Sequence, residues 1–224
     1  MQQDTSPRVL KNVVNGLQQI GTLHPSLLGP KMIPAVQLCL SLLENCPSTE
    51  AHDMVVIEVC DFFVGILEMA IDKSEVPSLI LPVLPALMPR LLSRMKYGLE
   101  ELQQQRDDAA AFALGAKEIV FSRSDMDDAA FHVTVRRAAS RSFDSFASEL
   151  RDESAVLESA LPAIQEALNS HDIWVQESGL LAIGALGCSK QLYDYLPSLF
   201  PIFIQCLTHE VAEIKSISCW VSSR

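Results

Sequence analysis

The fold is decided by residues 171–185, which read HDIWVQESGLLAIGA. A polar turn is followed by a branched apolar residue, then by polar residues, then by small apolar residues at helical spacing. Related segments occur elsewhere in the chain, each centred on a branched apolar anchor. The anchors are Val9, Val55 (in a weaker copy), Val135, Val175 and Ile214. Such self-similarity predicts a protein built from repeated units.

Subtracting neighbouring anchor positions gives spacings of 46, 80, 40 and 39 residues. A period near 40 is typical of two-helix HEAT or armadillo units. The 80-residue step equals about two periods, yet it need not hold two repeats. Between anchors lie apolar runs punctuated by proline, which fits the first turn of a helix because its missing N–H would be unpaired there. These runs are 29–36, 84–91, 161–164 and 196–203.

The two patterns together predict an all-α superhelix, a HEAT/armadillo-type solenoid of about four and a half helical hairpins. We treat residues 1–224 as one solenoid domain with hairpins at about 5–45, 50–97, 132–169 and 171–208, and a partial one at 210–224. The first and second helices of each hairpin are called A and B. They are predicted at 5–21 and 25–45, 50–71 and 77–97, 132–150 and 153–169, and 171–187 and 192–208.

Composition and charge narrow the class of protein. The chain is 49% hydrophobic with a formal charge of −11, which is enough apolar content for a sizeable core. Net acidity argues against direct binding of nucleic acid, which needs clustered Lys and Arg. The start of the chain, Met1-Gln2-Gln3-Asp4, is polar and gives no secretory signal. The most apolar stretch, 76–92, contains four prolines, so we expect no membrane span.

No pattern for catalysis or for a cofactor is present in the sequence. Phosphate-binding glycine loops, dinucleotide fingerprints, zinc-protease helices and hydrolase nucleophile elbows are all missing. The cysteines form no Cys-x-x-Cys pair and have no zinc-ligand spacing with the histidines, so reduced core thiols are expected. We therefore expect a protein that is not an enzyme and has no metal. The six cysteines are Cys39, Cys46, Cys60, Cys188, Cys206 and Cys219.

Residues 98–131 interrupt the repeat pattern and are interpreted as an inserted acidic loop. They contain eight acidic and three basic residues, a charge of −5. Insertions of this kind often carry function, but a disordered, solvating loop is an open alternative. Its Ala-rich part, 109–120, could instead form a helix against the stack. Among the acids are Glu100, Glu101, Asp107, Asp108, Asp125, Asp127 and Asp128.

Several segments of the chain resemble the transportin/importin-β (karyopherin-β) family of nuclear transport receptors. The resemblance is strong from 171 to 224 and moderate before that, and Met95-Lys96-Tyr97 matches the point where the family inserts an acidic loop. The loop of this chain is shorter and less uniformly acidic. The segments are 7–13, 55–63, 171–185, 195–201, 204–207 and 215–220.

This resemblance implies that the chain is a mid-solenoid part of a receptor that shuttles between cytoplasm and nucleus. It implies binding of basic cargo through nuclear-localisation signals, binding of the GTP form of the GTPase Ran on the concave B-helix face, and binding of Phe-Gly nucleoporins on the A-helix side. Acidic residues of the B helices and of the turns before them would meet Lys or Arg of such partners. With Trp220, an aromatic contact, the candidates are Asp152, Glu153, Glu158, Glu166 and Asp194.

Two further expectations stand beside the one that the family resemblance implies. A different HEAT scaffold, such as a phosphatase regulatory subunit or an assembly adaptor, would show the same period of about 40 residues. The last A helix, which begins near 210, lacks a B helix to cover Ile217, Trp220 and Val221. The chain is therefore expected to be a monomeric part of a longer solenoid with exposed apolar ends.

Overall fold

In the computed structural model, every regular element of the described residues is helical. The structure describes residues 6–24, 27, 31–68, 80–98, 101–103, 106–107, 134–150, 153–188 and 190–223. The α-helices there are α1 (Pro7–Leu23), α2 (Met32–Asn45), α3 (Glu50–Glu68), α4 (Leu84–Arg94), α5 (Val135–Glu149), α6 (Glu153–Leu168), α7 (Ile173–Ala185), α8 (Leu196–Leu207) and α9 (Ala212–Ser223). Short 3-10 helices span Leu81–Val83, Leu186–Cys188 and Lys190–Asp194.

The helices form two layers. In the A layer α1 packs against α3, α3 against α5, α5 against α7 and α7 against α9. In the B layer α2 packs against α4, and α4 against α6. The A helices from α1 to α9 thus contact their counterparts in the next hairpin, and so do the B helices from α2 to α6. This is the arrangement of a repeat solenoid. The predicted all-α, HEAT/armadillo-type fold is confirmed.

The stack is continuous across the 80-residue step between Val55 and Val135. Helix α3 lies directly against α5, and α4 contacts both α5 and α6. The anchors on either side of this step therefore belong to neighbouring A helices, and the step advances the stack by one unit.

Aromatic side chains fill the contact between α3 and α5. Phe62, Phe63 and Phe146 are fully buried, and the ring centroids of Phe63 and Phe146 lie 6.4 Å apart. The buried Ser142 hydroxyl donates a 3.0 Å hydrogen bond to the carbonyl oxygen of Cys60. Because a buried polar group costs free energy unless it is paired, this bond favours one register of the two helices.

Polar residues fix where two of the A helices, α5 and α7, begin. The Thr134 hydroxyl accepts a hydrogen bond from the amide of Arg137 at 3.3 Å, and the Asp172 carboxylate accepts one from the amide of Trp174 at 2.9 Å. Both are N-caps, which satisfy donors that have no partner inside the helix. Prolines mark the starts of two B helices, since Pro85 and Pro197 lie in the first turns of α4 and α8.

Ion pairs join neighbouring repeats across the surface. In the A layer Nζ of Lys11 lies 3.7 Å from Oε1 of Glu58 on α3, and Asp61 pairs with Arg141 of α5. In the B layer Arg90 of α4 pairs with Glu44 at 2.6 Å. Ion pairs that stay in contact with water contribute little individually, so the apolar core supplies most of the stability. None of the helices in the described residues is long and apolar enough to cross a membrane.

The cysteines differ sharply in exposure, and this gives a first prediction. Cys39 and Cys60 are fully buried, and burial raises the pKa of each thiol to about 12, whereas Cys219 is exposed. Since the thiolate is the reactive form, iodoacetamide at neutral pH should modify Cys219 in the native protein and leave the two buried thiols unmodified. Peptide mass spectrometry before and after denaturation measures this. Equal labelling of all three would contradict the buried placement.

Candidate functional site

The exposed face of α6 carries two of the predicted binding residues. Glu158 and Glu166 lie on one stripe of this helix together with Pro162 and Gln165, and all four are exposed. The opposite face buries Val156, Leu157, Ala160 and Ile164. The helical period separates these two faces, so the two carboxylates point away from the core on the B layer.

The other predicted acids are distributed as follows. Asp194 is exposed at the end of the 3-10 helix Lys190–Asp194, which contacts α6, and Glu153 begins α6. Glu101 accepts a 2.9 Å hydrogen bond from the amide of Gly98, and exposed Asp107 accepts one from Gln103. The predictions at Glu100, Asp108, Asp125, Asp127, Asp128 and Asp152 lie outside the described residues.

Trp220 belongs to a different surface from the acidic stripe. It lies on α9 in the A layer and is 38% exposed. Its ring lies over Gly184 of α7, so closely that a Cβ atom at that position would be 2.0 Å from Cζ3. The structure therefore brings Trp220 together with α7, and not with the B-layer acids.

A buried ion pair links α5 to α7. The guanidinium of Arg136 donates to both carboxylate oxygens of Glu177, at 2.6 and 2.7 Å, and the same group donates to the carbonyl of Met95 at 2.5 Å. The side chains of Arg136 and Glu177 are only 10% and 1% exposed. Burial raises the pKa of Glu177 in spite of the arginine, because the charged form loses its hydration. The two-pronged geometry is the strongest that arginine forms with a carboxylate.

Aromatic rings and a second ion pair cover this buried pair. Arg136 stacks over Tyr97, with its guanidinium carbon 3.8 Å from the ring centroid. The Tyr97 ring meets Trp174 edge to face at 5.5 Å, and Lys96 pairs with Asp172 at the surface. The hydrogen bond from Lys96, with that from the Trp174 amide, lowers the pKa of Asp172.

These contacts tie together three parts of the chain. Met95 to Tyr97 end the second hairpin, Arg136 begins the third, and Glu177 belongs to the fourth. Residues on both sides of the predicted insertion at 98–131 are thus held against α7. Sequence reasoning missed Arg136 and Glu177 as partners. The pattern that could have revealed them is that each follows its anchor, Val135 or Val175, within two residues.

The described residues contain no group of three or more His, Cys, Asp or Glu side chains that could hold a metal ion. The described residues instead form two exposed surfaces, one on each layer. The B layer presents exposed carboxylates, and the A layer presents arginines and a tryptophan. Surfaces of this kind recognise other proteins through charge and apolar contact.

Comparison with known proteins agrees with the repeat architecture. A family model described as a HEAT-like repeat matches residues 173–221. In structure, Kap95p, described in a study of its binding to RanGDP, superposes with a TM-score of 0.70 at 15% identity, covering 98% of this chain and 24% of Kap95p. At that identity the likeness concerns the fold alone. The chain is a HEAT-repeat solenoid.

Sequence comparison is more specific. Transportin-1 of Mus musculus is 28% identical over 99% of this chain and 27% of its own length, and importin subunit beta-2 of Schizosaccharomyces pombe is 27% identical over 99% of this chain and 28% of its length. The resemblance to the transportin/importin-β (karyopherin-β) family is confirmed. The chain spans just over a quarter of the length of these relatives.

Proposed function

We propose that this chain is a protein-binding part of a nuclear import receptor, which recognises nuclear-localisation signals of cargo proteins and the GTP form of Ran. The observation that carries the proposal is the exposed acidic stripe of α6, on a solenoid whose sequence relatives are transportins and importin subunit beta-2. In this proposal cargo and Ran bind to the B layer, and the receptor shuttles between cytoplasm and nucleus.

Charge supports basic partners for the B layer. Glu158, Glu166 and Asp194 are exposed carboxylates, and the whole chain carries a charge of −11. Such a field steers Lys- and Arg-rich segments towards the surface and accelerates encounter, with an effect that salt weakens. A localisation signal supplies several such cations on a short peptide, so multiple weak contacts add up.

One further partner, and a role for the acidic insertion, follow from the same proposal. Phe-Gly nucleoporins would use the A layer. A structure of Kap95 with Nup1 has the same fold as this chain, with a TM-score of 0.70. The acidic residues of 98–131, which carry a charge of −5, would adjust the competition between cargo and Ran.

Binding to Ran separates this proposal from the alternative of a HEAT scaffold outside transport. The purified chain should retain Ran loaded with a non-hydrolysable GTP analogue better than Ran loaded with GDP in a pull-down at low salt. Equal retention of both forms would count against the proposal. A phosphatase catalytic subunit retained in place of Ran would favour the scaffold alternative.

Charge reversal tests the acidic stripe directly. The double variant Glu158→Lys/Glu166→Lys should weaken binding of a fluorescent, Lys/Arg-rich localisation peptide by about tenfold, because two attractive contacts become repulsive. Fluorescence anisotropy at fixed ionic strength measures the dissociation constant. The matched control is Glu50→Lys/Glu210→Lys, which makes the same charge change at exposed positions outside the stripe. If both doubles weaken binding equally, only net charge matters and the stripe is not the site.

A further inference from the structure

Three B helices contain a proline beyond their first turn. Pro89 lies inside α4, Pro162 inside α6 and Pro201 inside α8. A proline has no backbone N–H, so it cannot donate to the carbonyl oxygen four residues before it, and its ring bends the helix there. Each of these helices therefore has one turn in which a carbonyl oxygen lacks its usual donor. We call them the proline turns, and they are residues 85–89, 158–162 and 197–201.

In α4 an arginine of the same chain binds at the proline turn. Arg90 directly follows Pro89, and its Nη1 donates a 2.7 Å hydrogen bond to the carbonyl oxygen of Ala86 within the turn. The Nε and Nη2 atoms of the same guanidinium donate to Oε2 of Glu44, at 3.2 and 2.6 Å. A planar fork with five N–H donors can serve a carbonyl and a carboxylate together. The protein thus contains one guanidinium bound between a proline turn and a carboxylate.

The proline turn of α6 offers the same kinds of acceptor but has no cation of its own. Ala163 follows Pro162 where Arg90 follows the proline of α4, and α6 contains three glutamates and no lysine or arginine. Pro162 is exposed, as are Glu158 and Glu166. Within the part of the chain that the structure describes, neither of these carboxylates has an ion-pair or hydrogen-bond partner.

Helix geometry brings the acceptors of α6 to one place. Glu158, Pro162 and Glu166 are spaced by four residues, so each is a surface neighbour of the next. Carbonyl groups of an α-helix point towards its C-terminus, whereas side chains lean towards its N-terminus. The open carbonyl of Glu158 and the carboxylate of Glu166 therefore approach Pro162 from opposite sides, and a cation placed there meets both.

We propose that the proline turn of α6 binds an arginine side chain of a partner protein, whose guanidinium donates to the carbonyl oxygen of Glu158 and to the carboxylate of Glu166. The inference rests on the proposed function, in which basic segments bind the acidic stripe of α6, and it specifies which cation the stripe prefers. Arginine is selected over lysine because an ammonium group is a compact charge without a planar fork. The proline turn of α8 does not share this preference, since α8 contains no charged residue.

Two fluorescein-labelled peptides test the proposal, identical except that one carries arginine and the other lysine as its cations. The arginine peptide should bind the wild-type chain about threefold to tenfold more tightly, as one additional hydrogen bond provides. Pro162→Ala supplies the missing N–H and leaves every charge in place. It should reduce the ratio of the two dissociation constants to less than about twofold, while the lysine peptide keeps its affinity. Fluorescence anisotropy at fixed ionic strength measures each constant.

Pro201→Ala is the matched control, because it makes the same change in the next B helix, which has no carboxylate. The ratio should keep its wild-type value in this variant, and circular dichroism checks that both variants are folded. Equal affinity of the two peptides for the wild-type chain, an unchanged ratio in Pro162→Ala, or the same fall of the ratio in Pro201→Ala would overturn the proposal.

The lysine peptide distinguishes failure of this inference from failure of the proposed function. If the lysine peptide binds and Glu158→Lys/Glu166→Lys weakens its binding, the acidic stripe remains the site, and an unchanged ratio in Pro162→Ala overturns only the preference for arginine. If neither peptide binds the wild-type chain, both the inference and the role of the stripe in the proposed function are overturned.

Discussion

Replacement of Arg136 by methionine is expected to lower the free energy of unfolding by about 3–5 kcal/mol, because the variant leaves Glu177 buried and unpaired. The carboxylate of Glu177 is 1% exposed and accepts two hydrogen bonds from this one guanidinium. The change also removes the cation from the face of Tyr97. Urea unfolding followed by circular dichroism measures the loss.

The neighbouring arginine supplies the control. Arg137→Met makes the same chemical change one residue later, at an exposed position of the same helix. We expect it to change stability by less than about 0.5 kcal/mol, as surface substitutions usually do. A comparable loss in both variants would show that the unpaired carboxylate of Glu177 is not the cause of the loss.

The pH dependence of this loss has a definite sign. Burial raises the folded-state pKa of Glu177 above its ordinary value of 4.5, so protonation favours the folded state. That contribution is fully present below pH 4.5 and is lost as pH rises through the raised pKa. Without Arg136 the pKa rises further. The difference in stability between Arg136→Met and the wild type should therefore be smallest near pH 4 and should grow towards neutral pH.

A double substitution separates the buried charge from the packing. Arg136→Met/Glu177→Leu removes both charges, and buried pairs exchanged for apolar side chains of similar size often cost little. We expect the double variant to recover to within about 1 kcal/mol of the wild type. If it stays as unstable as Arg136→Met, the loss arises from the contacts to Met95 and Tyr97, and the buried charge is not the cause.

The second large effect is expected at Gly184. A Cβ atom there would lie 2.0 Å from Cζ3 of Trp220 and 2.7 Å from Cε3, so Gly184→Ala must displace the indole or α9. We expect a loss of about 1–3 kcal/mol, the usual range for overpacking. Thermal or urea unfolding measures it, and the fluorescence of Trp220 should shift as its ring leaves α7.

Gly16 offers a matched control for this prediction. It also lies inside an A helix, yet a Cβ atom at that position would meet nothing within 4 Å. Gly16→Ala should therefore stabilise by up to about 1 kcal/mol, because alanine favours the helix. In addition, Trp220→Ala should relieve the cost of Gly184→Ala in the double variant. A stable Gly184→Ala single variant would contradict the placement of the indole.

The repeat was predictable because its cause is local. Branched apolar anchors spaced by about 40 residues, and prolines at helix starts, report the burial of one helix face and the geometry of the first turn. The helix bounds show where local rules weaken. Helix α4 begins at Leu84, after the 3-10 turn Leu81–Val83, and α8 begins at Leu196, after another. A run of prolines does not specify which of them opens the helix.

The candidate surfaces were only partly predictable. The exposure of Glu158 and Glu166 follows from their place on the polar stripe of α6. The contacts of Trp220 could not be predicted from the sequence, because they come from α5 and α7, which are distant along the chain. Arg136, Arg137 and Arg141 of α5 can be read from the sequence. The groove that they line exists only where α5, α7 and α9 meet.

The sequence by itself determined the all-α solenoid, the layer to which each helix belongs and the likeness to the transportins, since all three depend on short-range patterns repeated along the chain. Only the tertiary structure decided that Arg136 and Glu177 form a buried pair beside residues 95–97, and that Trp220 lies on Gly184. Residues 41 and 36 positions apart cannot be paired by periodicity. Their pairing depends on how one repeat rotates against the next, which packing at the interface sets.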